Sequence, residues 1–260
     1  MKRAKKRSRY AMQDAYGAEL LATHAGENDF EIVERDDGYI EAGTTVKVYF
    51  TEYADWSPAE KKAIRHAKGR VLDIGCGAGR HALYLQSRGL DVLATDVSPG
   101  AVKVSRLRGV KKTRCVGIDD LSPALGMFDT LVMFGNNFGL FGSPEKAKRL
   151  LRRFHRMTSD GARIIAQCMD PYGTTFEPHL EYHRFNRKRG RMSGQLRIRV
   201  CFRKWRSPWF DYLFVSRSEL AEILKGTGWR VREHIPPRGA SYFAILEKTG
   251  KKPSRGAVRN

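Results

Sequence analysis

The sequence predicts an α/β fold: a mostly parallel sheet covered by helices on both faces, with an antiparallel hairpin inserted towards its C-terminal end. From Arg70 onward, short apolar runs alternate with helical stretches, an order that favours parallel strands joined by helices. Between Leu196 and Phe202, apolar residues alternate with arginine and cysteine, which is the pattern of a strand with one apolar face. The 260 residues suit one domain with such an insertion.

The part of the chain before Arg70 predicts several short elements. Asp36-Asp37-Gly38 favours a hairpin turn, since glycine readily takes the positive φ that a tight turn needs. Ser57-Pro58 begins a helix that ends near Ala67, because serine caps the free amides and proline suits the first turn. The remaining segments are a helix at residues 13–23 and extended stretches at 30–34, 39–41 and 46–50.

The main sheet is predicted from seven short apolar segments. Five precede the insertion, at residues 71–74, 92–95, 114–116, 130–134 and 162–167, and two follow it, at 229–233 and 242–247. Helices are expected at residues 80–87, 100–107, 144–157 and 216–225. Residues 169–215 interrupt this rhythm, and within them the strand at 196–203 is expected to pair with residues 209–215 as a hairpin beside the main sheet.

The net charge of +20 comes from two tails and one internal segment. Residues 1–10 carry six basic groups, residues 251–260 carry four and residues 184–206 carry ten, and none of these segments contains an acid. Basic patches favour polyanions, although basic ends also occur simply as solvated tails. The predicted organisation is a basic tail and lid-like segment at 1–56, a domain at 57–250 with an insertion at 169–215, and a basic tail at 251–260.

Composition predicts a cytoplasmic protein. No apolar run approaches the ~20 residues of a membrane span, and residues 11–24 are too polar for a signal peptide. The four cysteines are widely spaced, which argues against both a structural zinc site and a disulfide framework. We therefore expect neither a bound metal nor a membrane partner.

The most informative stretch is Val71-Leu-Asp-Ile-Gly-Cys-Gly-Ala-Gly79, in which a predicted strand meets a glycine-rich turn and then a helix. Glycines let the backbone approach a ligand closely, and the start of a helix offers free amides and a positive dipole end. Asp96 ends the next strand, 23 residues after Asp73, where an acid can hold both hydroxyls of a ribose. The site is therefore predicted to bind a ligand that contains a nucleoside.

The glycines are spaced GxGxG, because position 80 is arginine, and Asp73 lies two residues before the first of them. Together with Asp96 they resemble the DxGxGxG motif of class I S-adenosylmethionine-dependent methyltransferases, and the match extends across about residues 70–168. The spacing disfavours a dinucleotide-binding dehydrogenase, whose pattern is GxGxxG. The resemblance implies a Rossmann-like, doubly wound, seven-stranded sheet whose last strand is antiparallel, with S-adenosylmethionine as the cofactor.

The resemblance also implies roles for individual residues. Asp73 would orient the amino group of the cofactor, directly or through water, while Asp96 would bind the ribose and Val97 would cover the adenine. In the third-strand region, where the match is poorer, Asp119 would contact the adenine amino group, or a register shifted by two would place Gly117 there and remove the contact. The predicted cofactor-binding set is completed by Gly75, Cys76, Gly77, Gly79, Ile118, Gly135 and Asn136.

After the fourth strand, Gly135-Asn136-Asn137 resembles the Gly-Asn-Ser/Thr run of small-molecule N-methyltransferases, such as the glycine and sarcosine type. Two other motifs are absent: the Asn/Asp-Pro-Pro-aromatic run of enzymes that methylate exocyclic base amines, and the Pro-Cys of those that make 5-methylpyrimidines. Asn136 is therefore a candidate to contact cofactor or substrate, unless its amide is satisfied by the backbone of its own loop.

Direct methyl transfer depends mainly on positioning and on exclusion of water. A base helps only where the acceptor arrives protonated, and the candidates after the fifth strand are Asp170, His179 and His183. The candidates for aromatic walls of a substrate pocket are Tyr172, Tyr182, Trp209 and Tyr212. Tyr49, Tyr53 and Trp56 suit either a lid over the cofactor or core packing, and Arg80 and His81 are expected on a solvated first turn of a helix.

Two classes of acceptor remain open. The Gly-Asn-Asn run and the absence of base-methylating motifs favour a small molecule, methylated on nitrogen or oxygen. The ten basic groups of residues 184–206, interleaved with Phe185, Phe202 and Trp205, suit RNA or DNA instead, because cations bind phosphate and flat side chains stack on bases. We expect a small-molecule acceptor, with nucleic acid as the alternative.

Overall fold

The computed structural model describes residues 13–27, 30–236 and 239–249, so the two predicted basic tails lie outside the described residues. The helices are α1 (Ala15–His24), α2 (Pro58–Ile64), α3 (Arg80–Ser87), α4 (Pro99–Leu107), α5 (Pro144–Arg156), α6 (Glu177–Lys188) and α7 (Arg217–Leu224). The strands are β1 (Phe30–Arg35), β2 (Ile40–Thr45), β3 (Arg70–Ile74), β4 (Asp91–Asp96), β5 (Thr113–Cys115), β6 (Phe128–Met133), β7 (Thr158–Met169), β8 (Gln195–Phe202), β9 (Trp205–Arg206), β10 (Phe210–Leu213), β11 (Trp229–Ile235) and β12 (Ser241–Lys248). Among these helices, none is both long and apolar enough to cross a membrane.

Seven strands form the main sheet, in the order β11-β12-β7-β6-β3-β4-β5. The pairs β3–β4, β3–β6, β4–β5 and β6–β7 are parallel, whereas β12 runs antiparallel to both β7 and β11. The predicted Rossmann-like sheet with an antiparallel last strand is thus confirmed. The carboxyl ends of the parallel strands meet at one edge, and in such sheets ligands bind outside that edge.

The central strands of the main sheet are buried on both faces. Successive side chains point to opposite sides, so Leu72 and Leu131 lie in one core while Val71 and Val132 lie in the other. The first core is closed by α5 and α7, and the second by α2 and α3. Because both faces are covered, these strands appear in the sequence as continuous apolar runs, which is why they could be located there.

A second, antiparallel sheet has the order β10-β8-β1-β2, with β9 paired to β8. The hairpin predicted within the insertion is present as β8 and β10, but it joins the N-terminal hairpin β1–β2 rather than standing alone beside the main sheet. Val33 of β1, for example, lies opposite Val200 of β8. Segments far apart in the sequence therefore build one sheet, a pairing that local periodicity does not reveal.

Two local features differ from expectation. Residues 46–50 were expected to be extended, yet they form a 3₁₀ helix in which Val46 alone is buried. Helix α6 has no counterpart in the sequence prediction, because its buried side chains are Tyr182, His183 and Asn186 rather than an apolar stripe. Both elements line or border the functional site, where packing against other segments decides local structure.

Candidate active site

The glycine-rich loop between β3 and α3 is folded onto the end of β4. The backbone amides of Gly75 and Cys76 both donate to the carbonyl of Thr95, at 2.8 and 3.0 Å. Gly75 and Gly77 have φ values of 74° and 53°, a left-handed backbone conformation that residues other than glycine rarely adopt. The loop therefore needs its glycines to turn sharply beside the open edge of the sheet.

Asp96 lies at the end of β4, directly beside this loop. Its Oδ2 accepts from the backbone amide of Gly77 at 3.0 Å, and its Oδ1 accepts from that of Ser98 at 2.9 Å. The side chain is 7% exposed, and burial raises its pKa to about 6 although these backbone hydrogen bonds act in the opposite direction. Each carboxylate oxygen still has a lone pair to spare, so Asp96 can accept hydrogen bonds from ligand hydroxyls.

Asp73 lies on the neighbouring strand and is 2% exposed. Burial, reinforced by the charge of Asp96 and opposed by Arg80, raises the pKa of Asp73 to about 7. Its Oδ2 has no hydrogen-bond partner among the described residues. A buried oxygen without a partner is uncommon in folded proteins and indicates a missing donor, which the amino group of a cofactor, or a water bound to it, would supply.

One cavity of about 2,100 Å³ begins at the glycine loop and extends to the second sheet. Most of the predicted site residues line it: Gly75, Cys76, Gly77, Asp96, Val97, Ile118, Asp119, Gly135, Asn136, Asp170, His179, Tyr182, His183, Trp209 and Tyr212. Gly117 lines it as well, so both registers proposed for the third-strand region stay open. We call the part beside the glycine loop the cofactor end and the part beside the second sheet the acceptor end.

Three predicted site residues are not among those that line the cavity. Asp73 is buried behind the loop. Gly79 packs against α4 and the loop after it, since a Cβ there would lie 3.0 Å from Oγ of Ser105 and 2.8 Å from Cγ2 of Val110. The hydroxyl of Tyr172 donates to Glu219 at 2.7 Å, and the side chain is exposed.

Asp119 and Val97 lie at the rim of the cofactor end, where both side chains are substantially exposed. Nζ of Lys146 lies 2.8 Å from the Asp119 carboxylate, and Arg149 lies 3.7 Å from it. The carboxylate is therefore neutralised by two basic residues of α5. An adenine contact through Asp119 would have to compete with this ion pair.

The acceptor end is bounded by the apolar face of β8, formed by Leu196, Ile198 and Val200, and by residues of α6. His183 is 6% exposed and makes no hydrogen bond to a described residue, while burial lowers its pKa, so the imidazole is neutral at pH 7. Tyr182 is already engaged, because its hydroxyl donates to Asp36 at 2.5 Å. These positions give the acceptor end an apolar wall with isolated polar groups.

Arg80 and His81 are not on a solvated turn, contrary to expectation. His81 is 6% exposed, its Nε2 lies 2.7 Å from Glu60, and its ring packs between Trp56 and Phe134. Burial lowers the pKa of His81 to about 4. Arg80 pairs with the same Glu60 carboxylate, so the start of α3 is anchored to α2.

Two contributions to the site have no signal in the sequence. The side-chain amide of Asn137 donates to the carbonyls of Ile74 and Gly75, at 3.0 and 2.8 Å, and so holds the glycine loop in place. Asn136 is oriented differently: its φ is 60°, and its carbonyl accepts from the Tyr212 hydroxyl at 2.7 Å. The N-terminal helix α1 is the second contribution, because Tyr16 lies over the glycine loop and lines the cavity.

Comparison with known proteins identifies a methyltransferase domain. A family model described as a methyltransferase domain matches residues 71–161. The ribosomal RNA small subunit methyltransferase C of Klebsiella pneumoniae is 33% identical over 134 residues, 48% of this chain and 39% of the relative. The magnesium-protoporphyrin O-methyltransferase of Rhodobacter capsulatus is 44% identical over 69 residues, 24% of this chain and 30% of the relative. The chain thus spans well under half the length of these curated relatives.

A solved structure matches over more of the chain. The SAM-dependent methyltransferase from Bacteroides fragilis, in complex with S-adenosyl-L-homocysteine, is similar over 92% of this chain and 97% of its own, with a TM-score of 0.77 and 26% identity. With the fold and the glycine loop described above, these matches identify a methyltransferase domain at residues 71–161 that is similar to class I S-adenosylmethionine-dependent methyltransferases, which use S-adenosylmethionine as cofactor. The two curated relatives are named for an RNA and a porphyrin, so the family leaves the acceptor class open.

Proposed function

We propose that this protein transfers the methyl group of S-adenosylmethionine directly to a small-molecule acceptor, on nitrogen or oxygen. The observation that carries the proposal is the continuity of one cavity from the glycine loop to the apolar face of the second sheet. Its volume of about 2,100 Å³ exceeds the ~300–1,000 Å³ typical of pockets for one small ligand. It therefore has room for the cofactor and an acceptor side by side.

When bound, S-adenosylmethionine supplies a methyl group on a positively charged sulfur, an electrophile that needs only a well-placed lone pair. Asp96 and the glycine loop would hold the nucleoside end, and Asp73 would accept from the amino group, directly or through water. Asn136 lines the cavity where β6 ends, and its backbone is bound to the second sheet through Tyr212. This placement suits a polar side chain that orients the acceptor.

Where the acceptor arrives protonated, a base must take its proton before or as the new bond to the methyl carbon forms. Among the predicted bases, His183 is the best placed, because its neutral imidazole lines the cavity without a hydrogen-bond partner among the described residues. His179 is less free, since its Nδ1 lies 3.3 Å from the Thr174 hydroxyl. Asp170 accepts from the backbone amide of Tyr172 at 2.9 Å.

The arginine-rich surface of the insertion supports a small-molecule acceptor over RNA. Six of the ten basic side chains at residues 184–206 already form ion pairs with acids of the same protein. Arg199 pairs with Glu34 on the adjacent strand, and Arg197 pairs with Asp211. An arginine that must first release a carboxylate contributes less to phosphate binding than an unpaired one.

The first test is calorimetric titration with S-adenosylhomocysteine, on the wild type and on Asp96→Ala. We expect micromolar binding, about −8 kcal/mol, that is lost in the variant. Absence of binding to a well-folded wild type would contradict the assignment of the cofactor end. Formation of S-adenosylhomocysteine from S-adenosylmethionine, measured with pools of small metabolites and with RNA in parallel, then separates the two acceptor classes.

A further inference from the structure

The cavity is acidic although the protein is strongly basic. The whole chain has 48 basic and 28 acidic residues, yet among the residues that line the cavity, ten are Asp or Glu and three are Lys or Arg. All three bases are neutralised locally. Arg35 pairs with Asp37 at 2.8 Å, Lys146 pairs with Asp119 at 2.8 Å, and Arg80 pairs with Glu60. The same pairs neutralise Glu60 and Asp119, and Asp211 pairs with Arg191 and Arg197, but the other seven lining acids form no ion pair with a Lys or Arg among the described residues. The field inside the cavity therefore favours cations, although the protein as a whole is basic.

At the acceptor end, this excess of acid centres on Glu31 of β1. Residues 31, 33 and 35 alternate onto the face of the second sheet that lines the cavity, and Glu41 of β2 lines it beside them. The Glu31 carboxylate accepts from the Tyr49 hydroxyl at 2.9 Å, and no described Lys or Arg forms an ion pair with it. Burial and the negative charge of Glu41 both raise its pKa. A donor or a cation at this point would relieve both effects.

A second feature of the acceptor end also indicates a ligand. The imidazole of His183 is more than nine-tenths buried, lines the same cavity, and has no hydrogen-bond partner among the described residues. This side chain lines the cavity and can therefore bond a group that enters it. The apolar face of β8 lines the same cavity and suits a hydrocarbon or aromatic body.

We propose that the methyl acceptor is an amine, whose nitrogen donates to the Glu31 carboxylate while its apolar body lies on β8 and a further polar group bonds His183. The lone pair of the neutral nitrogen would bond the methyl carbon as the bond from that carbon to sulfur breaks, S-adenosylhomocysteine would leave, and the proton of the nitrogen would pass to Glu31. This inference rests on the proposed function and narrows it to one substrate class. It assigns Glu31 a role in specificity through direct contact with the acceptor. This assignment depends on the acceptor end of the cavity and uses neither the glycine motif at the cofactor end nor the basic surface.

The test uses three probes that share a phenylethyl body on the full chain saturated with S-adenosylhomocysteine: 2-phenylethylamine, 2-phenylethanol and 3-phenylpropionate. Calorimetry or competition should show the amine binding about tenfold more tightly than the alcohol, because an ionised partner strengthens the hydrogen bond, and the carboxylate binding most weakly. General attraction to a protein of charge +20 would produce the reverse order, with the anion binding best. The order of the three affinities in the wild type is therefore decisive without any variant.

Glu31→Gln should remove the preference for the amine while leaving the affinity for S-adenosylhomocysteine unchanged. Glu34→Gln is the matched control, because Glu34 lies on the opposite face of the same strand and pairs with Arg199. It should keep the preference. If S-adenosylhomocysteine binds but the amine has no advantage, or if Glu31→Gln keeps the advantage, the inference is overturned while the proposed function stands. If S-adenosylhomocysteine itself fails to bind, the proposed function fails first.

Discussion

Asp73 and Asp96 are buried at the ends of adjacent strands, and each has a pKa above that of a free aspartate, about 7 and about 6. The folded chain therefore binds more protons than the unfolded chain between about pH 4 and pH 7. Their contribution to stability is fully present below pH ~4 and is lost as pH rises through the two folded pKa values. When no ligand donates hydrogen bonds to them, the two buried carboxylates therefore lower the stability of the folded protein near neutral pH.

Asp73→Asn should stabilise the ligand-free protein at pH 8, by on the order of 1–3 kcal/mol, because it removes a buried charge and keeps the shape of the side chain. At pH 5 the wild-type carboxyl is already protonated, so the gain should disappear. Urea unfolding at the two pH values measures both quantities. The affinity for S-adenosylhomocysteine should fall at least about tenfold, since one charge-assisted hydrogen bond is weakened. A variant that is less stable than the wild type at pH 8 would contradict this account.

Asn137→Ala should loosen the glycine loop, because two carbonyls lose the amide that holds them. We expect a loss of about 1–2 kcal/mol in stability and about tenfold in affinity for S-adenosylhomocysteine. Asn136→Gly is the control, since glycine keeps the left-handed backbone and the carbonyl that binds Tyr212. Thermal unfolding and calorimetry of both variants measure the difference. Equal losses in affinity from the two substitutions would mean that Asn137 has no special part in shaping the loop.

These residues also show what could be predicted before the fold was known. Asp96 and the glycines belong to one local pattern of strand, turn and helix, so their meeting beside one cavity could be predicted from spacing alone. Asn137 and Tyr16 act on the same loop, but only because β6 and α1 are brought to it by packing. A contact between side chains that are distant in the sequence cannot be predicted from the local hydrophobic periodicity.

Among the elements, α1 and α4 meet at a pair of glycines beside the cofactor end. A Cβ on Gly100 would lie 2.5 Å from Cα of Gly17, closer than packing allows. Asp14, the residue before α1, accepts from the Gly100 amide at 2.8 Å and from the Ser98 hydroxyl at 2.9 Å. The close approach therefore fixes the N-terminal helix so that Tyr16 covers the glycine loop.

Gly100→Ala should displace α1, because the new methyl group meets backbone rather than a flexible side chain. We expect a destabilisation of about 1–3 kcal/mol, as for other overpacked sites, and weaker binding of S-adenosylhomocysteine. Lys103→Ala, on the exposed face of the same helix, is the control and should change neither. Limited proteolysis before β1 should be faster in the glycine variant alone. Unchanged affinity in a variant with a displaced α1 would show that the helix is not part of the cofactor site.

The elements differ in how far sequence predicts them, for reasons that the packing explains. β3, β4 and β6 are covered on both faces and each contains a short run of adjacent apolar residues, so their position was clear. β8 was recognised from its alternation, but its partner β1 was not, since pairing between distant strands depends on the complete fold. α6 buries polar side chains towards the cavity, and a helix without an apolar stripe has no periodic signal.

At the scale of the whole molecule, charge is divided between inside and outside. Ten of the 28 acids line the cavity, the arginine face of the second sheet is largely ion-paired, and four further basic groups lie in the C-terminal tail at 251–260. Because of this division, a net charge of +20 on the whole protein does not by itself indicate the charge of the acceptor. We therefore expect attraction to polyanions to come from the surface and selection of the acceptor to come from the cavity.

The contribution of each surface to RNA binding can be compared at equal charge. One variant replaces Lys251, Lys252, Arg255 and Arg259 with glutamine, and the other replaces the ion-paired Arg191, Arg197, Arg199 and Arg203. The measured quantity is the slope of log binding constant against log salt concentration for a single-stranded RNA. This slope should become shallower by up to about three in the tail variant. It should change by less than about one in the other variant, because a paired arginine releases few counterions. If the second variant loses more affinity than the first, the arginine face binds phosphate despite its ion pairs. RNA would then become the better candidate for the acceptor.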